Sequence, residues 1–163
     1  MFIEYKFPKY SPKILLVTIS TLIVLLVSFI ITLKVDSSHK WWVCPIIILC
    51  IITTFLYTPY KIGYDDKGIY IFLIKGKSFI PFNSIKSIKL IKSDNISNSI
   101  RLFGSGGLFG YIGYFKNNVL GYYVMYATST EQLICIETYK RKYVVNCINP
   151  DEFLLAFLNF GNK

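Results

Sequence analysis

This chain has little of what catalysis needs. Among its 163 residues there is one histidine, His39, and there are nine acidic side chains. The four cysteines, Cys44, Cys50, Cys135 and Cys147, form no C-x-x-C pair and no cysteine–histidine spacing that suits a metal. Neither a metal nor a cofactor is therefore expected, and free, packed thiols point to a reducing compartment. No Gly-Lys-Ser/Thr triplet is present to cradle phosphates. A dinucleotide fingerprint begun at Gly104 and Gly106 would need glycine at 109, where Phe109 stands. With its sole histidine at position 39, the chain beyond residue 60 cannot assemble a Ser/His/Asp or Cys/His set. Asp65 and Asp66 are neighbours whose side chains diverge in a turn. Glu137 with Asp151 or Glu152 stays open as a carboxylate pair, but nothing nominates it. No catalytic residue is assigned.

Charge is missing from two long stretches as well. Ile14–Leu33 and Trp41–Tyr57 contain no charged residue. Each is about long enough to cross a ~30 Å hydrocarbon core as a helix. The spacing predicts two transmembrane helices, about 14–33 and 41–58, joined by a short loop that carries His39. The first run is longer than the apolar core of a secretory signal, no A-x-A-like site follows it, and a second run comes directly after. Neither run has the polar stripe of a soluble surface helix. Trp41, Trp42, Tyr57 and Tyr60 stand where aromatic belts form. The spans contain no ionisable residue, which argues against an ion pathway. Thr18, Ser20, Thr21, Ser28, Thr32, Thr53 and Thr54 suit helix–helix hydrogen bonds.

Basic residues outnumber acidic ones 18 to nine. Lys6, Lys9, Lys13, Lys61 and Lys67 flank the outer ends of the two runs, against Lys34 and Lys40 in the loop. That bias places both termini in the cytoplasm. Residues 61–163 carry 13 basic and seven acidic side chains, a balance that gains beside an anionic leaflet.

After Lys61 the texture becomes short alternating segments. Ile62–Tyr64 and Ile69–Ile74 flank the turn Asp65-Asp66-Lys67-Gly68. Lys77–Ile80 follows, then Ile85–Lys92, which reads as a bulged strand. Asp94–Ser99 is polar and loop-like. Arg101–Phe115 interleaves five glycines with bulky apolar side chains, as in a bulged hairpin. Leu120–Ala127, Gln132–Glu137 and Lys142–Cys147 complete about seven strands. Asn149 as cap, Pro150 in the first turn, and Asp151 and Glu152 at the positive dipole end predict a C-terminal helix. Phe153, Leu154, Phe157 and Leu158 give it one apolar face.

Several stretches resemble the bacterial pleckstrin-homology (PH) domain proteins of the membrane-anchored type. They are Gly63–Ile71, the step Ile80-Pro81-Phe82-Asn83-Ser84-Ile85-Lys86-Ser87-Ile88, the segment Arg101–Tyr111, Tyr126-Ala127-Thr128 and Asn149–Phe153. The resemblance covers about residues 60–160. It implies a partly open antiparallel barrel capped by the C-terminal helix, after a two-helix membrane hairpin in residues 1–60. It places the protein in a bacterial inner membrane with the domain, 61–163, on the cytoplasmic side. It implies no activity by itself. Eukaryotic PH domains that bind phosphoinositides ring the first hairpin with basic residues; here two acids sit at that turn.

The expected function is non-catalytic binding or scaffolding, through a protein partner or self-association. An anionic-lipid-contacting module is the alternative, and an enzyme of unknown class is third. No nucleic acid is expected. Leu102, Phe103, Leu108, Phe109 and Tyr111 are the candidates for an apolar tip that meets a partner or the bilayer interface. Lys86, Lys89, Lys92, Arg101, Lys140, Arg141 and Lys142 are the candidates for anionic headgroups.

Overall fold

The computed structural model describes residues 2–34 and 40–161. His39 and the loop around it lie outside the described residues. The first apolar run forms helix α1, Pro12–Lys34, which is long and apolar enough to cross a membrane. Apolar side chains are exposed all around it; only Ile14 and Thr18 are buried. The second run forms α2, Lys40–Leu56, which lies against α1 and is shorter. It stops two residues before the expected 58: Pro59 has no N–H to continue the ladder, and the Leu56 carbonyl accepts the Lys75 N–H instead.

Two sheets follow. The first has four strands in the order β1 (Ile3–Lys6), β2 (Pro59–Tyr64), β3 (Gly68–Leu73) and β4 (Gly76–Pro81). The second has six: β5 (Ile85–Ile91), β9 (Leu133–Thr138), β10 (Lys142–Asn146), β8 (Gly121–Ala127), β7 (Gly110–Asn117) and β6 (Ile100–Gly107), in that spatial order. Helix α3, Pro150–Gly161, ends the described chain.

Three expectations are corrected here. The described residues form ten strands, not about seven. One of the additional strands is β1, which pairs antiparallel with β2 although it precedes α1. Its sequence, IEYK, alternates toward the core, but adjacency to the apolar run masked it. The barrel is also not wholly antiparallel: β10 pairs parallel with β8, Val144 opposite Met125. Finally, the Asn149 side chain does not accept a helix N–H. It stands at φ 58° and donates to Glu152 at 3.2 Å instead.

Burial follows the two-residue period of the strands. Ile134, Ile136 and Val145 face the first sheet and pack with Ile62, Tyr64, Ile69 and Ile71. Phe153 of α3 closes this core and meets the Tyr5 and Tyr64 rings edge-on. Leu133, Cys135 and Val144 point the other way, into a second core with Phe115, Tyr123 and Met125. The segment between β5 and β6 crosses over that core and inserts Ile96. Strand β9 is thus apolar on both faces, which is why it reads as a continuous run.

The registers divide the barrel into two ends. Lys6, Pro59, Leu73, Gly107, Ala127 and Asn146 mark the end beside the helices. Tyr64, Pro81, Asn117, Thr138 and Lys142 mark the far end.

Candidate functional site

The helix end is built from three joints. In the first, the β6–β7 turn, Leu108-Phe109, reaches alongside α1. The Thr18 hydroxyl donates to the Gly107 carbonyl at 3.0 Å and accepts the Phe109 N–H at 3.1 Å. One buried side chain thus satisfies both backbone groups of the turn. Phe109 sits at φ 56°, a region that bulky residues seldom adopt. Its ring meets Phe55 of α2 edge-on, with centroids 5.4 Å apart. Gly107 is needed for this approach: a Cβ there would lie 2.8 Å from a Val17 methyl.

The second joint is the β3–β4 turn. Ile74 N–H donates to the Thr58 carbonyl at 3.1 Å, and Lys75 N–H to the Leu56 carbonyl at 2.8 Å. A helix normally leaves its last carbonyls without partners; this turn supplies one for Leu56, the last residue of α2, and one for Thr58 just beyond it. The third joint holds the start of α1. Ser11 N–H donates to the Thr128 carbonyl at 3.2 Å, and the Thr128 hydroxyl donates to the Pro8 carbonyl at 2.8 Å.

The five apolar candidates do not form one tip. Leu108 and Phe109 are half-buried at the first joint, and Tyr111 is half-buried against the second core. Leu102 and Phe103 are 53% and 75% exposed and lie about 15 Å back along β6. A register shift between Arg101 and Phe103 puts Phe103 opposite Tyr114. Ile100 and Tyr122 flank Lys116 on the same face, so an exposed apolar surface sits toward the far end.

The basic candidates are spread out too. Lys86 lies over the Tyr139 ring at 4.8 Å, at the far end. Lys140 and Arg141 are exposed in the β9–β10 turn, also at the far end, where Arg141 donates to the Tyr114 hydroxyl at 3.4 Å. Lys142 pairs with Glu137 at 3.8 Å. Lys89 is in mid-strand opposite Cys135, and Arg101 lies on β6 with its guanidinium and Cδ over Gly106. Only Lys92 follows a strand toward the helix end.

Lys9, Lys13 and Lys75 are not among the seven basic candidates. All three are exposed at the helix end. Lys9 and Lys13 stand beside the first apolar run and entered only the orientation argument; Lys75 lies in the β3–β4 turn, away from both runs in sequence. Thr18 was assigned to helix pairing, yet it binds the β6–β7 turn. Thr32, Thr53 and Thr54 donate to carbonyls of their own helices.

Titratable groups are shifted mainly by burial. Burial pushes the Cys147 thiol up to about 12 and also raises Cys135. At the β2–β3 turn, desolvation of Asp65 acts upward. The N–H of Lys67, the Tyr70 hydroxyl and the N–H of Gly68 outweigh it and hold the carboxyl below its ordinary range. Asp65 is thereby engaged as the structural acceptor of its own turn. No group of three or more His, Cys, Asp or Glu among the described residues could hold a metal ion.

A family model described as Bacterial PH domain matches residues 60–159. No curated protein and no solved structure matches the chain. The matched span holds both sheets except β1 and nearly all of α3, and such domains are generally binding or scaffold modules rather than catalysts. With two packed sheets, a helix closing the core and this match over more than half its length, the chain belongs to the bacterial PH domain family.

Proposed function

We propose that this protein is a membrane-anchored, non-catalytic binding module, held against the cytoplasmic face of a bacterial inner membrane. The observation that carries the reading is the first joint. Thr18 lies four residues into the apolar run and holds the β6–β7 turn there. The domain therefore begins at the depth where lipid contact begins. Around it, α1 leaves Leu15, Leu16, Ile19, Ile23 and Val24 about half exposed or more, a surface that water does not tolerate and a bilayer does. In this reading α1 and α2 form the hairpin anchor, and Leu108 and Phe109 sit at the headgroup level. The lysine bias keeps both termini in the cytoplasm.

The far end then faces away from the bilayer. Phe103, Ile100, Tyr114 and Tyr122 form its apolar contact surface, for a protein partner or a second copy. Lys140 and Arg141 stand at that end and serve the partner rather than headgroups.

Three measurements test the reading on the full chain. Carbonate washing of membranes should leave the protein in the pellet, and protease added to inside-out vesicles should reach residues 61–163. Extraction into the wash, or protection of the domain in inside-out vesicles, overturns the anchor. Crosslinking in membranes with Phe103→Ser should abolish the partner or dimer band seen for the unmodified chain. An unchanged band removes the far-end surface from consideration.

A further inference from the structure

A cleft of about 510 Å³ opens at the helix end, where the chain between β1 and α1 passes the start of β2. Phe7, Tyr10 and Tyr60 supply rings, Leu15 belongs to the apolar surface of α1, and Lys9 is the one charged residue of the lining. Among the described residues no acidic side chain lines it. Glu4, nearby in sequence, is already bound to Lys61 at 2.8 Å.

The cleft is two-sided. One wall is aromatic and cationic and lies on the barrel side. The other, Leu15, continues into the exposed apolar surface of α1. The start of α1 is not itself the anion seat, because the Ser11 hydroxyl already accepts the Ile14 N–H at 3.4 Å. Lys9 is exposed and forms no ion pair among the described residues, so its ammonium is the group available to an anion. The volume falls in the range of small-molecule sites. A molecule with an anionic head next to an apolar chain suits both walls, with the chain running down α1.

We propose that this cleft binds one anionic phospholipid, its phosphate at Lys9 and its glycerol and first acyl carbons between Tyr10, Tyr60 and Leu15. The inference rests on the membrane-anchored reading and adds to it a defined lipid seat. That seat is separate from the seven basic residues that sequence analysis nominated.

The test uses the full chain, purified in a mild detergent and examined by native mass spectrometry with added phosphatidylglycerol or phosphatidylcholine. One phosphatidylglycerol should be retained per chain, with phosphatidylcholine held weakly. Lys9→Ala should reduce retention about tenfold or more, the scale of losing one charge-assisted contact. The control Lys67→Ala, at an exposed far-end turn residue assigned to no contact surface, changes net charge equally and should leave retention unchanged. Tyr60→Leu, which keeps an apolar wall but removes the ring, should weaken it independently. Equal losses in Lys9→Ala and the far-end control would reduce the effect to bulk charge and overturn the seat. So would full displacement by millimolar glycerol phosphate, which would show an anion site with no acyl component. Carbonate washing of the same membranes separates the two levels. A chain that stays in the pellet but retains no lipid refutes the cleft alone; a chain that washes out refutes the anchor.

Discussion

Thr18 shows how much one hydroxyl can fix. It is the buried polar residue of α1, and both of its hydrogen bonds leave the helix for a turn some 90 residues away. Thr18→Val keeps the shape and removes both bonds, leaving the Phe109 N–H without its acceptor. The expected loss is about 1–3 kcal/mol of stability for the full chain in detergent, measured by denaturant titration, with Thr18→Ser close to the unmodified protein. Equal stability of all three would mean that the turn is not held by this residue. Cys147 gives a prediction in pH. Its folded thiol titrates near 12 against an ordinary 9.0, so the folded state keeps the proton that the unfolded state releases. The contribution is fully present below about 9 and is lost as pH rises from there toward 12. Cys147→Ala should therefore flatten the fall in stability across that window. Parallel slopes for the two proteins would refute the assignment.

Elements were legible where their signal was local. The apolar runs, the bulged β5, the glycine-rich hairpin and α3 with Pro150 in its first turn are each written in consecutive residues, by period, turn residue or charge placement. What escaped is non-local. No period in Lys142–Asn146 tells that it will lie parallel to β8 with β9 on its other side. Ile3–Lys6 has the alternation of a strand, but only its partner β2, beyond both helices, makes it one. The joints have the same character. That the β3–β4 turn would complete α2 depends on Leu56, Thr58, Ile74 and Lys75 meeting in space. The candidate site was legible in composition and not in assembly: glycines and aromatics marked the β6–β7 hairpin, while the bulge at Arg101 sent Leu102 and Phe103 away from Leu108 and Phe109. Hydrogen exchange checks the second joint. Ile74 and Lys75 are exposed turn residues, yet their amides should exchange as slowly as those in the middle of β3. Fast exchange at both would mean that the helix and the turn part readily.

At the scale of the molecule, the three joints differ in kind from a linker. A flexible tether would let the domain tumble beside its anchor. Here the start of α1, its second turn and the end of α2 are each bonded to a different loop of the barrel. Three attachment points define a plane, so the domain has one orientation relative to the helices and its far-end surface one direction. In a bilayer, helix tilt responds to hydrocarbon thickness. Because β6 and β7 extend about 25 Å from the joint, a change of tilt of about 20° would sweep Ile100 and Tyr122 through roughly 9 Å. On the proposed membrane-anchored reading, the clamp at Thr18 makes the barrel a pointer: a change in the angle of the anchor reaches the far-end surface as displacement.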